Sequence, residues 1–137
     1  MNLRRRKKLQ RRLLEAAAWA EPRDVAALLR AGADPDRPGG GSTPLYRASV
    51  QGRAANVRTL LAAGADPDRE SGAGEEGLPL CAAACWGHEE TVRALLAAGA
   101  DPRRREDAGR GRTALEWAEA AGHEPTRALL AAAGASR

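Results

Sequence analysis

The chain has 137 residues and is rich in alanine, arginine and leucine, with 32, 20 and 16 of each. This length fits one domain or one short repeat array and can bury a core without disulfides. Isoleucine and phenylalanine are absent, and valine, threonine, tyrosine and tryptophan together number 13, which excludes sandwiches, barrels and open α/β sheets.

The formal net charge of +4 is unevenly distributed along the chain. Residues 1–12 carry seven basic side chains and no acid, while the rest carries 15 basic and 18 acidic ones. We predict a basic arm over residues 1–10 that either extends the first helix or is disordered. The plain interpretation of this charge run is a solvated tail or cap. The functional alternatives are binding of nucleic acid, of anionic lipid or of an acidic part of a partner protein, through Arg4, Arg5, Arg6, Lys7, Lys8, Arg11 and Arg12.

A repeat organises the remaining residues into four blocks. Gly-Ala-Asp-Pro, or Gly-Ala-Ser in the last block, begins at 32, 64, 99 and 134. The triplet Thr43-Pro44-Leu45 begins 21 residues before one of these glycines, and related triplets at 78 and 113 keep that distance, as does Arg11. We therefore predict repeats over 11–42, 43–77, 78–112 and 113–136, within one domain spanning 11–137.

Each block is predicted to form two helices joined by a turn. Thr43 suits an N-cap, Pro44 suits the first helical position, and glycines at 52, 87 and 122 suit helix ends. The second helices are predicted to begin at residues such as Pro22, Glu89 and Pro125 and to stop at the glycine of Gly-Ala-Asp, where the following proline prevents continuation. Their buried faces follow the i, i+3, i+4 spacing, as in Val92, Leu95 and Leu96, with Thr126, Leu129 and Leu130 as the shifted equivalents in the last block. Stacked units of this kind form an all-α solenoid.

The segment Thr43-Pro44-Leu45-Tyr46-Arg47-Ala48 resembles the Thr-Pro-Leu-His-x-Ala signature of ankyrin repeats. The dipeptides Gly87-His88 and Gly122-His123 are similar to the family's Gly-His at the turn between helices. The signature histidine is replaced by Tyr46, Cys81 and Glu116. The resemblance covers residues 11–136 and implies an ankyrin solenoid of four repeats with atypical ends.

The resemblance also implies a non-enzymatic module that binds a partner protein on its concave helix surface and loop tips. Tryptophan is enriched in binding hot spots, although the tryptophans here can equally cover helix ends. The loops follow the Gly-Ala-Asp-Pro sequences and are numbered in chain order. The third loop, after residue 102, is rich in arginine, and it either contacts an acidic patch on the partner or is simply solvated. The predicted contact residues are Trp19, Val50, Gln51, Cys85, Trp86, Ala120 and Ala121 on the helices, and Arg37, Ser42, Arg103, Arg104, Arg105 and Arg112 in the loops.

Catalysis and metal binding find little support in the sequence. His88-Glu89 and His123-Glu124 begin like a zinc-protease motif but lack its second histidine. Cys81, Cys85 and His88 have no fourth zinc ligand nearby, so we expect no enzyme, metal or cofactor.

Two cysteines four residues apart favour reduced thiols and a cytoplasmic location. No apolar run approaches the roughly 20 residues of a membrane span, and Glu15 interrupts the stretch that resembles a signal peptide. We expect a monomer, and the ratio of arginine to lysine indicates a GC-rich bacterial genome.

Overall fold

The computed structural model describes residues 2–72 and 77–135. In these two ranges it contains nine helices and no strand, with isolated bridges only at Gly39–Ser42 and Ser71–Gly77. The helices are α1 (Leu3–Trp19), α2 (Pro22–Arg30), α3 (Pro44–Val50), α4 (Ala54–Ala62), α5 (Pro79–Cys85), α6 (Glu89–Ala97), α7 (Glu106–Gly109), α8 (Ala114–Ala121) and α9 (Glu124–Ala135).

Eight of these helices form two parallel rows. In the first row α1 contacts α3, α3 contacts α5, and α5 contacts α8, while the second row runs α2, α4, α6, α9. The two helices of each repeat also pack on each other. This arrangement confirms the predicted all-α solenoid of helix-turn-helix units. The short α7 lies in the third loop and is irregular, because Asp107 and Ala108 have φ values of 51° and 52°.

One continuous core runs through the stack between the two rows. Val25, Val57 and Val92 are fully buried at equivalent positions of α2, α4 and α6. Ala48 and Ala83 are fully buried on α3 and α5, where small side chains allow neighbouring helices to approach closely. Because each repeat buries its apolar face against the next, the stack is stabilised mainly by these interfaces.

The sequence signals for helix ends at Thr43 and Gly87 are confirmed. The hydroxyl of Thr43 accepts a hydrogen bond from the backbone N–H of Tyr46 at 3.1 Å, as an N-cap does. Gly87 has a φ of 70°, which favours glycine. A Cβ atom at Gly87 would also lie 2.7 Å from Nδ1 of His123. This glycine therefore provides both the turn and the space for the next repeat's histidine.

The last helix begins one residue before its predicted start and runs further than the other helices of the second row. α9 begins at Glu124 rather than Pro125 and continues through Gly134 to Ala135. It thus passes the glycine position before which α2, α4 and α6 end. The physical reason is that this glycine is followed by Ala-Ser instead of the Ala-Asp-Pro of the other repeats, so no proline prevents the helix from continuing.

The predicted one-residue shift in the last repeat is wrong. The backbone N–H of Arg127 bonds the carbonyl of His123, as Val92 bonds His88. Arg127 thus occupies the valine position, and the buried Leu130 occupies that of Leu95. A charged residue is tolerated there because no described helix packs beyond α9 and the side chain reaches Glu124 at 2.5 Å.

The basic arm is helical rather than disordered over the described residues. α1 begins at Leu3, where the side chain of Asn2 accepts a hydrogen bond from the N–H of Arg5 at 2.8 Å. The helix continues without a break to Trp19. Of the two alternatives for the arm, the structure therefore supports an extension of the first repeat.

Candidate functional site

A chain of aspartates links the loops of successive repeats. Within one loop, Oδ1 of Asp66 accepts a hydrogen bond from the N–H of Asp68 at 2.9 Å. Between loops, Asp68 accepts from the N–H of Asp101 at 3.0 Å, and Asp36 accepts from that of Asp66 at 2.9 Å. These bonds fix the spacing of the loop tips along one edge of the stack.

At the N-terminal end, the buried side chain of Gln10 replaces the aspartate of a preceding repeat. Its oxygen accepts a hydrogen bond from the N–H of Asp34 at 2.9 Å. Its amide donates to the carbonyls of Asp34 and Arg37 at 2.7 and 3.0 Å. The first loop is therefore held against α1, which is a contact that sequence reasoning missed. The repeat pattern gave no signal for Gln10, because this glutamine fills the role that an aspartate plays between the later loops.

The turn histidines hold the ends of the first-row helices. Nε2 of His88 lies 3.0 Å from the carbonyl oxygen of Val50. His123 makes the same contact with Cys85 at 3.1 Å. The repeated Gly-His dipeptide is the sequence signal for this contact. It fixes the backbone at two of the predicted contact positions.

The first repeat is tied to the second by different residues in the same places. A guanidinium nitrogen of Arg53 approaches the carbonyls of Trp19 and Ala20 at 3.4 and 3.3 Å. The buried side chain of Asn56 donates to the carbonyl of Ala20 at 2.9 Å. The end of α1 is thereby held by side chains of the second repeat.

The predicted helix contacts fall together along the turn-proximal ends of the first row. Trp19 and Trp86 are 69% and 63% exposed, although their ring systems are the largest apolar groups of the chain. Gln51 and Ala121 occupy the same place in their repeats, 13 residues before the next Gly-Ala glycine, and both are exposed. We call this set the helix strip: Trp19, Val50, Gln51, Cys85, Trp86, Ala120 and Ala121.

The triplet positions bond to the next loop instead of to a signature histidine. The N–H of Thr43 donates to Oγ of Ser71 at 3.1 Å, and that of Leu78 donates to Oε2 of Glu106 at 2.9 Å. Both acceptors lie 28 residues after their donors. Sequence reasoning missed Ser71 and Glu106, although this common spacing was a signal that could have found them.

The last repeat satisfies its own triplet by a capping box. Oγ1 of Thr113 accepts from the N–H of Glu116, whose carboxylate accepts from the N–H of Thr113, both at 3.2 Å. The Thr113 backbone bond holds the pKa of the Glu116 carboxyl below its ordinary value, helped by Arg105. Glu116 at the signature-histidine position is thus a local substitute for contacts to a following loop.

The arginines of the third loop are largely engaged within the fold. Arg105 lies 2.7 Å from Glu116 and also donates to the carbonyl of Gly111 at 3.2 Å. The guanidinium of Arg112 stacks 4.8 Å from the centre of the Trp117 ring. Arg103 donates to the carbonyl of Gly134 at 2.7 Å. All four predicted contact arginines here are exposed. Three of them also tie the loop to the last repeat, whereas Arg104 forms no ion pair with another described residue.

The two predicted contacts around the first loop differ in exposure. Arg37 is exposed, whereas Ser42 is only 2% exposed. The second loop carries the acids Glu70, Glu75 and Glu76. Glu70 is partly buried and accepts a hydrogen bond from the N–H of Asp107. Glu75 and Glu76 lie outside the described residues.

The two cysteines differ in their burial. Cys81 is buried and Cys85 partly exposed, and both are free thiols. Burial raises the pKa of Cys81, with the Glu106 carboxylate adding to the effect. Across residues 2–72 and 77–135 no cluster of three or more acids, histidines and cysteines has the geometry to hold a metal. No helix in these ranges is both long and apolar enough to cross a bilayer.

The fold and the inter-repeat contacts agree with a known family of repeats. The family model for the ankyrin repeat matches residues 40–71 and 78–107, which correspond closely to the second and third blocks. The chain therefore contains ankyrin repeats over these two stretches. Ankyrin repeats are generally modules for protein–protein interaction and are typically not enzymes. No curated protein matches the chain.

Proposed function

We propose that this chain is a non-enzymatic scaffold that binds a partner protein along the helix strip and the adjacent loop tips. The observation that carries the proposal is the pair of exposed indoles, Trp19 and Trp86, at equivalent places two repeats apart. Exposed tryptophan is costly to hydrate and is the side chain most enriched in interface hot spots. Gln51 lies between the two rings in the repeat order.

The backbone beneath these side chains is already ordered. The carbonyls of Trp19, Val50 and Cys85 each accept a hydrogen bond from the following repeat. A surface that is rigid before binding loses little conformational entropy when a partner docks. The strip can therefore convert modest contact area into affinity.

The loop tips supply charge beside the strip. Arg104 forms no ion pair with another described residue, so its charge is available to an acidic group of the partner. We leave the buried Ser42 out of the contact surface and give Arg103, Arg105 and Arg112 a supporting role. Monomeric state, a cytoplasmic location and the domain boundaries at residues 10 and 11 belong to the same proposal.

Site-specific photo-crosslinking tests this function. A photoreactive residue at Gln51 should capture one dominant protein from an extract of the native organism, identified by mass spectrometry. The same group at the exposed Ala97 of α6, in the second row, is the matched control and should not capture it. Equal capture from both positions would contradict the proposal, and capture of a nucleic acid would favour the alternative function.

The captured partner then permits a test in purified form. The double variant Trp86→Ala and Arg104→Ala should weaken binding by about 100-fold, since hot-spot truncations cost about 2 kcal/mol or more. An unchanged dissociation constant would show that neither residue belongs to the interface.

A further inference from the structure

Five basic side chains from three parts of the fold line a single groove. Three come from α1, one from the loop that follows α2 and one from α3. Of the three on α1, Lys7 and Arg11 lie four residues apart and share one face, and Arg6 lines the groove from beside them. We call this the basic groove and define it by Arg6, Lys7, Arg11, Arg37 and Arg47, around a cavity of about 600 Å³.

The groove exists because the first loop is held against α1. The amide of the buried Gln10 donates to the carbonyl of Arg37 at 3.0 Å, on the backbone of a residue that lines the groove. Because the arm is helical, its charges occupy fixed positions opposite Arg37 and Arg47. Basic residues that are far apart in the sequence thereby line one groove.

The five charges lack partners within the described part of the chain. None of them forms an ion pair with another described residue, and Glu15 is the one acid among the groove's described lining residues. Like charges held together in a concavity raise the local positive potential. A negatively charged ligand would relieve this repulsion on binding.

The opposite face of α1 makes an internal comparison. Arg5, Lys8 and Arg12 line a second groove between α1 and α2, but there they lie with the carboxylates of Glu15 and Asp24. Three bases against two acids leave far less net charge than five against one. α1 gives three bases to each groove, and Glu15 lines both. The difference in net charge therefore comes from Arg37 and Arg47 in the basic groove and from Asp24 in the other.

We propose that the basic groove binds an acidic segment of a partner protein. Guanidinium groups can bind carboxylates in a bidentate manner, and the apolar Leu3 and Leu14 also line the groove, so a segment of Asp or Glu with an apolar residue matches both features. The described lining residues include no aromatic ring for stacking of bases, which favours a polypeptide over single-stranded nucleic acid. Arg47 is three residues before Val50 on α3, so the groove adjoins the helix strip.

Fluorescence anisotropy with the full-length protein tests the proposal. The probe is a labelled ten-residue peptide of Glu and Asp with one central Leu, and its neutral counterpart contains Gln and Asn instead. The triple variant Arg11→Gln, Arg37→Gln and Arg47→Gln should weaken binding of the acidic peptide by about tenfold. The matched triple variant Arg5→Gln, Lys8→Gln and Arg12→Gln removes the same charge from the other face and should change the affinity by less than about threefold.

Three further binding measurements decide the class of ligand and distinguish this site from the helix strip. A ten-nucleotide oligothymidine and vesicles of phosphatidylserine and phosphatidylcholine should bind more weakly than the acidic peptide. Trp86→Ala should leave the peptide affinity unchanged, so failure here is distinct from failure of the proposed function. Equal losses in the two triple variants, equal binding of the neutral peptide, or stronger binding of the oligonucleotide or the vesicles would overturn the proposal.

Discussion

The two arginine-rich regions of this chain look alike in the sequence and behave differently in the fold. In the third loop, Arg103, Arg105 and Arg112 contact a carbonyl, a carboxylate and an indole of the last repeat. In the basic groove, Arg11 and Arg37 form no ion pair with any described residue. Charge that is satisfied internally supports the scaffold, whereas charge left unsatisfied is available to a partner.

The largest expected effect comes from removing the acid at the centre of the third loop. Glu106 accepts hydrogen bonds from the N–H of Leu78 at 2.9 Å and from the indole of Trp117 at 2.7 Å. Glu106→Ala leaves both donors without this acceptor and should lower the free energy of unfolding by about 2 kcal/mol. Urea denaturation measures the change, with the exposed Glu119→Ala as control. A decrease in unfolding free energy no greater than that of the control would contradict a structural role for Glu106 in this loop.

A smaller loss is expected from the stacked arginine. Arg112→Ala removes the guanidinium from the face of Trp117 and should cost about 0.5–1 kcal/mol of stability. Arg104→Ala is the control in the same loop and should be neutral. Thermal unfolding followed by circular dichroism compares the two variants. Equal stability of the two variants would mean that the stacking of Arg112 on Trp117 does not stabilise the fold.

The capping box predicts a pH dependence of stability. The folded pKa of Glu116 lies below its unfolded value, mainly through the N–H of Thr113. Its contribution is therefore present above the unfolded pKa of about 4.3 and is lost as the pH falls through the folded pKa. Glu116→Gln should remove this part of the acid sensitivity, so the gap in stability between the variant and the parent should narrow on acidification. A gap that stays constant from neutral to acidic pH would contradict this account.

The smallest effect on stability is expected at the basic groove. Neutralising Arg11, Arg37 and Arg47 together should change the free energy of unfolding by no more than about 0.5 kcal/mol, because no internal ion pair is broken. Urea denaturation at low and high salt measures this. A loss as large as that of Glu106→Ala would mean that these arginines support the fold, and the contrast between the two regions would fail.

The sequence was sufficient to predict the repeat units and much of their local structure. The recurring glycines, the Thr43 cap and the i, i+3, i+4 spacing act within a few residues, so short-range physics determines them. The sequence could not show which arginines contact other side chains or carbonyls within the fold. Arg105 meets Glu116 across 11 residues, and Gln10 meets Arg37 across 27, and such contacts exist only once the repeats are stacked.

In the last repeat, the sequence did not determine the register of the helix. Thr126, Leu129 and Leu130 matched the apolar spacing of the earlier repeats, yet the backbone register assigns Arg127 to the valine position. Spacing alone cannot distinguish a shifted helix from a substitution at a position that no further described helix covers. The exposure of Trp19 and Trp86 was likewise left open by the sequence, since a ring at a helix end can pack or protrude.

Calorimetric titration of the crosslinked partner into two single variants tests the central contrast most directly. Trp86→Ala should weaken partner binding by about tenfold or more and leave the unfolding free energy unchanged. Arg112→Ala should lower the unfolding free energy and leave the affinity unchanged. If Arg112→Ala weakened binding as much as Trp86→Ala, or if Trp86→Ala left the affinity intact, the assignment of the helix strip to binding and of the third loop to support would be contradicted.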